Sequence, residues 1–106
     1  MNTLFGSQLR TDALIAVCRL GTTFVSELAR LFNRRPTEIR RAVESLELAG
    51  VVQTRRMGTI RTIELSRRFP EYDKLADLLL KMSERPLYAQ RWRAMRRRPR
   101  AIGKAS

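Results

Sequence analysis

Between Val25 and Leu65 the apolar residues change their period, and that change limits what the chain can fold into. Val25, Leu28, Ala29 and Phe32 fall at i, i+3, i+4 and i+7, the spacing of one buried stripe on a short helix. Seven residues after Phe32, Ile39, Ala42, Val43, Leu46 and Ala49 repeat that spacing. From Val51 onward the chain turns β-branched: "VVQTRR" and "TIRTIEL" flank "MGT", and two such runs around a glycine predict a β-hairpin.

The punctuation agrees with these periods. Ser7 is a suitable N-cap for a first helix carrying Leu9, Ala13, Leu14, Ala16, Val17 and Leu20, and Gly21 ends it. Asn33 suits the left-handed turn that closes "FVSELARLFN", and Pro36 suits the first position of the next helix, which Gly50 stops. Pro70 is expected to open a further helix with Leu75, Leu78, Leu79 and Met82 on its stripe, and Pro86 to break it. "LYAQRWRAMRRR" then either continues as a basic helix or stays disordered, and both remain open. The fold class is mainly α with a small β-hairpin wing, in the order helix 1, helix 2, turn, recognition helix, wing, C-terminal helix. The turn Asn33-Arg34-Arg35 between two short amphipathic helices marks a helix-turn-helix. Residues 1–84 form the winged-helix domain, and 85–106 an Arg-rich tail.

Charge narrows the partner. The chain has 106 residues, 22 Lys+Arg against 10 Asp+Glu, a net charge of +12 and a pI near 11.6. Eight basic residues and no acidic ones lie from Arg85 to Ser106, which leaves 14 basic and 10 acidic residues in 1–84. Such a balance points to a polyanion, nucleic acid before an anionic membrane surface. Nearly all the cations are Arg, whose planar fork fits phosphates and guanine edges.

If Ile39, Val43 and Leu46 face inward, Thr37, Glu38, Arg40, Arg41, Glu44, Ser45 and Glu47 lie on the other side. The first turn of a recognition helix meets base edges. Arg41 can fork onto guanine and Thr37 can touch a thymine methyl or a phosphate. Glu38 can accept from cytosine or orient Arg34 or Arg41. Glu44 and Glu47 repel DNA, so contact is expected to fade beyond Arg41 or Ser45. The expected DNA-binding set is Arg34, Arg35, Thr37, Glu38, Arg40, Arg41 and Ser45, with Arg55, Arg56 and Arg61 on the wing. The plainer account is a solvated face, with Arg40 paired to Glu44 and charged wing strands protecting an edge. Arg55 and Arg56 are adjacent, so at least one points outward. Tyr88, Trp92 and Met95 among the tail arginines can stack on bases or on a partner, or the tail is simply a polycation that adds phosphate affinity.

"VSELARLFNRRPTEIRRAVESLELAGVV" resembles the winged helix-turn-helix of bacterial and archaeal ArsR-type and, as a second choice, MarR-type transcriptional regulators. "LFGSQLRTDALIAVCRLG" resembles the first helix of ArsR-like domains, and the resemblance covers roughly residues 4–82. In ArsR-like proteins the first and last helices form a two-fold dimer. The resemblance therefore implies a homodimer seam from Leu4, Phe5, Leu75, Leu78, Leu79 and Met82. The competing account is that these residues only close the monomer core.

Several chemistries are not expected. With no histidine and one cysteine, the metal clusters of ArsR-type sensors have too few ligands, so neither metal nor cofactor is expected. Cys18 lies beside the apolar stripe and reads as packed rather than redox-active. No phosphate-binding glycine loop, dinucleotide fingerprint or Ser/His/Asp set is present, so an enzyme is not expected. No apolar run approaches a membrane span. "MNTLFGSQLR" lacks the pattern of a secretion signal, and a cytoplasmic, nucleoid-associated protein is expected. The function expected is sequence-specific binding of double-stranded DNA by a homodimeric transcriptional regulator, a repressor by preference. The recognition helix 36–49 enters the major groove and the wing 51–65 grips the flanking backbone. Alternatives are a winged-helix protein-interaction or assembly module, and a nonspecific architectural or RNA-associated basic protein.

Overall fold

The computed structural model describes residues 6–95. Its order is α1 (Gln8–Leu20), β1 (Thr23–Phe24), α2 (Val25–Phe32), α3 (Pro36–Leu48), β2 (Val52–Met57), β3 (Ile60–Leu65), α4 (Tyr72–Ser83) and α5 (Pro86–Met95). The expected helices and hairpin are all present.

α1 is the central post. Ser7 caps it, its side chain accepting from the Arg10 N–H at 3.1 Å. Ala13, Leu14, Ile15, Ala16 and Val17 are all at most 1% exposed. Five consecutive buried residues cover the whole circumference of a helix, so α1 must be packed on every side. It is: α4, α3 and β3 surround it. Leu28 of α2, Ile39 and Leu46 of α3, Ile63 of β3 and Leu79 of α4 complete one continuous core.

The sheet has one strand more than the sequence suggests. β3 is central, with β2 on one side and the two-residue β1 on the other, all antiparallel. β1 pairs Thr23 with Ile63 and Phe24 with Thr62, which ties the start of α2 to the wing. A strand of two residues between two helices carries no readable period.

Two boundaries differ from expectation. Pro70 does not open α4, which begins at Tyr72; Pro70 sits in the turn after β3. Pro86 does more than end α4, which already stops at Ser83: it occupies the first position of α5, where its missing N–H costs nothing. The open question over "LYAQRWRAMRRR" is settled as far as Met95: that stretch is helical. Tyr88 and Trp92 are 3% and 6% exposed, so α5 is joined to the core.

Candidate nucleic-acid interface

The turn before α3 is set by backbone chemistry. Asn33 adopts the left-handed conformation (φ 54, ψ 52), which its short polar side chain tolerates better than most. The Arg34 N–H then donates back to the Ala29 carbonyl at 2.9 Å. Pro36 starts α3, and Glu38 reaches back so that its Oε1 accepts the Arg35 N–H at 3.1 Å. The other Glu38 oxygen lies 3.7 Å from Arg34. Glu38 is thus engaged in fixing the turn and holding Arg34, one of the two roles that the sequence allowed it.

The rotation of α3 follows from its buried residues. Ile39, Ala42, Val43 and Leu46 face the core. At 3.6 residues per turn the opposite ridge is Thr37, Arg41, Glu44 and Leu48. All four are exposed. Arg40 is also exposed and shares its flank with Glu47, which accepts a hydrogen bond from Thr54 of β2 at 3.0 Å. The Arg40–Glu44 pair of the plainer account is not formed, and among the described residues neither Arg40 nor Arg41 has an ion-pair partner. Ser45 departs from the expected set: it is half-buried, and its hydroxyl accepts from the Arg10 guanidinium of α1 at 2.5 Å. It binds α3 to the core rather than facing outward.

The wing register sorts its three arginines. Gly58 (φ 64) supplies the turn that a side chain would strain. Arg56 pairs with Arg61 across the ribbon, while Arg55 pairs with Thr62. Because side chains alternate, Arg56 and Arg61 continue the face of Val52, Thr54, Ile63 and Leu65, which lies against the core and α3. Arg55 emerges on the other face, where Glu64 lies 3.4 Å away. Gln53 donates to the same Glu64 oxygen at 2.9 Å. Arg56 and Arg61 are directly opposed like charges, a destabilising arrangement, with no ion-pair partner among the described residues. Sequence reasoning passed over two exposed apolar groups: Leu48, 90% exposed on the α3 ridge, and Met57, 57% exposed at the wing tip. Apolar side chains are read as core by default, so only the structure exposes them.

The expected dimer seam is divided. Leu4 and Phe5 lie outside the described residues. Leu79 and Met82 are buried in the single chain and belong to its own core. Leu75 is half-buried, and Leu78 is exposed. Leu80 is exposed as well, but it stands roughly 160° around the helix from Leu78, so the two form no common patch.

Other groups stay apart from this surface. Cys18 is half-buried with its thiol toward the Ala76 carbonyl at 3.5 Å, and burial pushes its pKa up, away from thiolate. Among the described residues no three His, Cys, Asp or Glu side chains come together, and no helix is long and apolar enough to cross a membrane. A cleft of about 270 Å³ between α1, α4 and α5, lined by Arg19, Ser83, Glu84, Ala89, Trp92 and Arg93, contains no residue of α3 or the wing.

A turn of this form between α2 and α3, with a ribbon directly after, defines a winged helix-turn-helix. Solved structures agree. AdcR, the adhesin competence repressor of Streptococcus pyogenes, is similar with a TM-score of 0.63 at 13% identity, over 92% of this chain and 71% of that one. A mutant of ZitR from Lactococcus lactis gives 0.63 at 10%, over 93% and 66%. AntR, an antimony-specific transcriptional repressor, gives 0.57 at 21%, over 77% and 70%. At these identities the likeness shows the fold alone, a winged helix-turn-helix. No family model matches the chain, and no curated protein does.

Proposed function

We propose that the chain is a sequence-specific double-stranded DNA-binding transcriptional regulator, a repressor acting as a homodimer. The observation that carries this reading is the start of α3. Thr37, Arg40 and Arg41 are exposed there beside a turn fixed by Glu38, and the two arginines lack ion-pair partners among the described residues. A solvated face that neutralises itself would have paired Arg40 with Glu44. In this reading Arg41 forks onto a guanine edge, Thr37 meets a methyl or phosphate, and Arg34 and Arg35 hold backbone phosphates. Arg56 and Arg61 take a flanking phosphate between them, which relieves their mutual repulsion. Arg55, tied to Glu64, contributes less. The dimer seam rests on Leu75 and Leu78 with the chain before residue 6, and it sets two α3 helices about one DNA turn apart.

The test is selection from a random duplex library at about 150–200 mM salt with excess nonspecific competitor. An enriched inverted repeat supports a dimeric, base-reading regulator. A selection without enrichment refutes base reading and leaves nonspecific or protein-directed binding.

A further inference from the structure

We propose that Arg91 of α5 is a positioning residue for the helix-turn-helix: it completes the end of α2 and so fixes the turn that aims α3. Its role in DNA binding rests on the function proposed above; its role in the turn does not.

α2 has only eight residues, so the handling of its last carbonyls weighs heavily on it. The Ala29 carbonyl receives the Arg34 N–H at 2.9 Å. The Arg30 carbonyl receives the Asn33 N–H at 3.4 Å, a long bond. The Leu31 carbonyl receives no backbone donor from the turn; Nη1 of Arg91 donates to it at 2.9 Å. The same guanidinium stands 5.1 Å over the Phe32 ring, the last residue of α2. A cation at a helix C-terminus also meets the negative end of the helix dipole. Asn33, Arg34 and Arg35 follow at once, and Pro36 begins α3. Arg91 thus holds the residues from which the turn departs.

Arg91 can do this because α5 is itself anchored on either side of it. The Tyr88 hydroxyl donates to Asp12 of α1 at 2.6 Å, and the Trp92 indole N–H donates to the Ser83 carbonyl at 2.8 Å. With neighbours three and one residues away fixed, the backbone of Arg91 has little freedom. A residue that composition assigns to a polycationic tail is therefore an internal brace, and its charge is directed to protein rather than to solvent.

The test compares Arg91→Met, which keeps an apolar stem against Phe32 but removes the donor and charge, with Arg91→Lys, which keeps the charge and one donor. Amide hydrogen exchange on the full chain is the first measurement. In Arg91→Met the Asn33 and Arg34 amides exchange roughly tenfold faster, while the β2–β3 ladder amides are unchanged; Arg91→Lys recovers part of the protection. Unchanged exchange at Asn33 and Arg34 overturns the proposal, as does a uniform rise that includes the ladder. The second measurement is affinity for a selected duplex across a salt series. Affinity falls with the salt slope unchanged if Arg91 positions the turn. A slope reduced by about 0.9 overturns the proposal, because Arg91 would then be a phosphate contact. If the wild-type chain binds no duplex, the regulator reading fails, and the exchange measurement still decides the brace.

Discussion

Trp92→Ala is the sharpest probe of whether α5 belongs to the folded unit. Trp92 is the chain's single tryptophan and is 6% exposed. An aromatic of its size buries about 150–250 Å², which at about 25 cal/mol/Å² corresponds to roughly 4–6 kcal/mol. Mutational experience with Trp→Ala in cores gives a similar range, about 3–5 kcal/mol. The change also leaves the Ser83 carbonyl without its 2.8 Å donor and removes the ring stacked on Tyr88 at 6.4 Å. Against a total stability on the order of 5–15 kcal/mol, the variant loses roughly a fifth or more. Urea unfolding followed by far-UV circular dichroism measures this loss. In the wild-type chain, Trp92 fluorescence and circular dichroism should trace one coincident transition. A loss below about 1 kcal/mol, or Trp92 fluorescence changing well before the main transition, refutes the packing of α5 as described.

Three further outcomes follow from local chemistry. Asn33→Ala places a side chain with no compensating hydrogen bond at φ 54 and should cost about 1–2 kcal/mol by thermal melting, whereas Asn33→Gly is close to neutral. Tyr88 is pushed up to about 12, first by burial and then by its bond to Asp12. A raised pKa means that the folded state holds the proton more tightly. Its contribution is complete below pH about 10 and is lost as pH rises toward 12, and Tyr88→Phe should remove that alkaline loss in a pH series of melts. In the wing, changing Arg56→Gln and Arg61→Gln together should lower the salt slope of DNA binding by about 0.9, and Arg55→Gln by distinctly less; equal slopes for the two variants contradict the division of the two faces.

The sequence made the architecture legible wherever a period ran long enough. The stripes of α2 and α3, the Asn33 turn, Pro36 and the Gly58 hairpin all act over a few residues, and each is where its chemistry requires. What escaped depends on contacts between distant parts of the chain. β1 is two residues long and exists only because β3 passes beside it. Ser45 looked like part of the exposed face of α3 because Arg10, which binds it, is 35 residues away. Leu79 and Met82 looked available to a second copy because nothing local shows that α4 turns them onto α1. The signal for α5 was present: Tyr88, Trp92 and Met95 fall at i, i+4 and i+7, an apolar stripe obscured by the surrounding arginines. The wing arginines could be counted but not sorted, since the register that opposes Arg56 to Arg61 is fixed by the turn.

Arg41 carries the central claim, because it stands on the outward ridge of α3 near the end that would enter DNA. The most direct measurement is the affinity of wild-type chain and Arg41→Ala for the selected duplex and for a scrambled duplex of equal length, at one salt concentration. The account predicts that Arg41→Ala loses about 1–3 kcal/mol on the selected duplex and little on the scrambled one, so that discrimination collapses. An equal loss on both duplexes would make Arg41 a phosphate contact and would contradict base reading by α3.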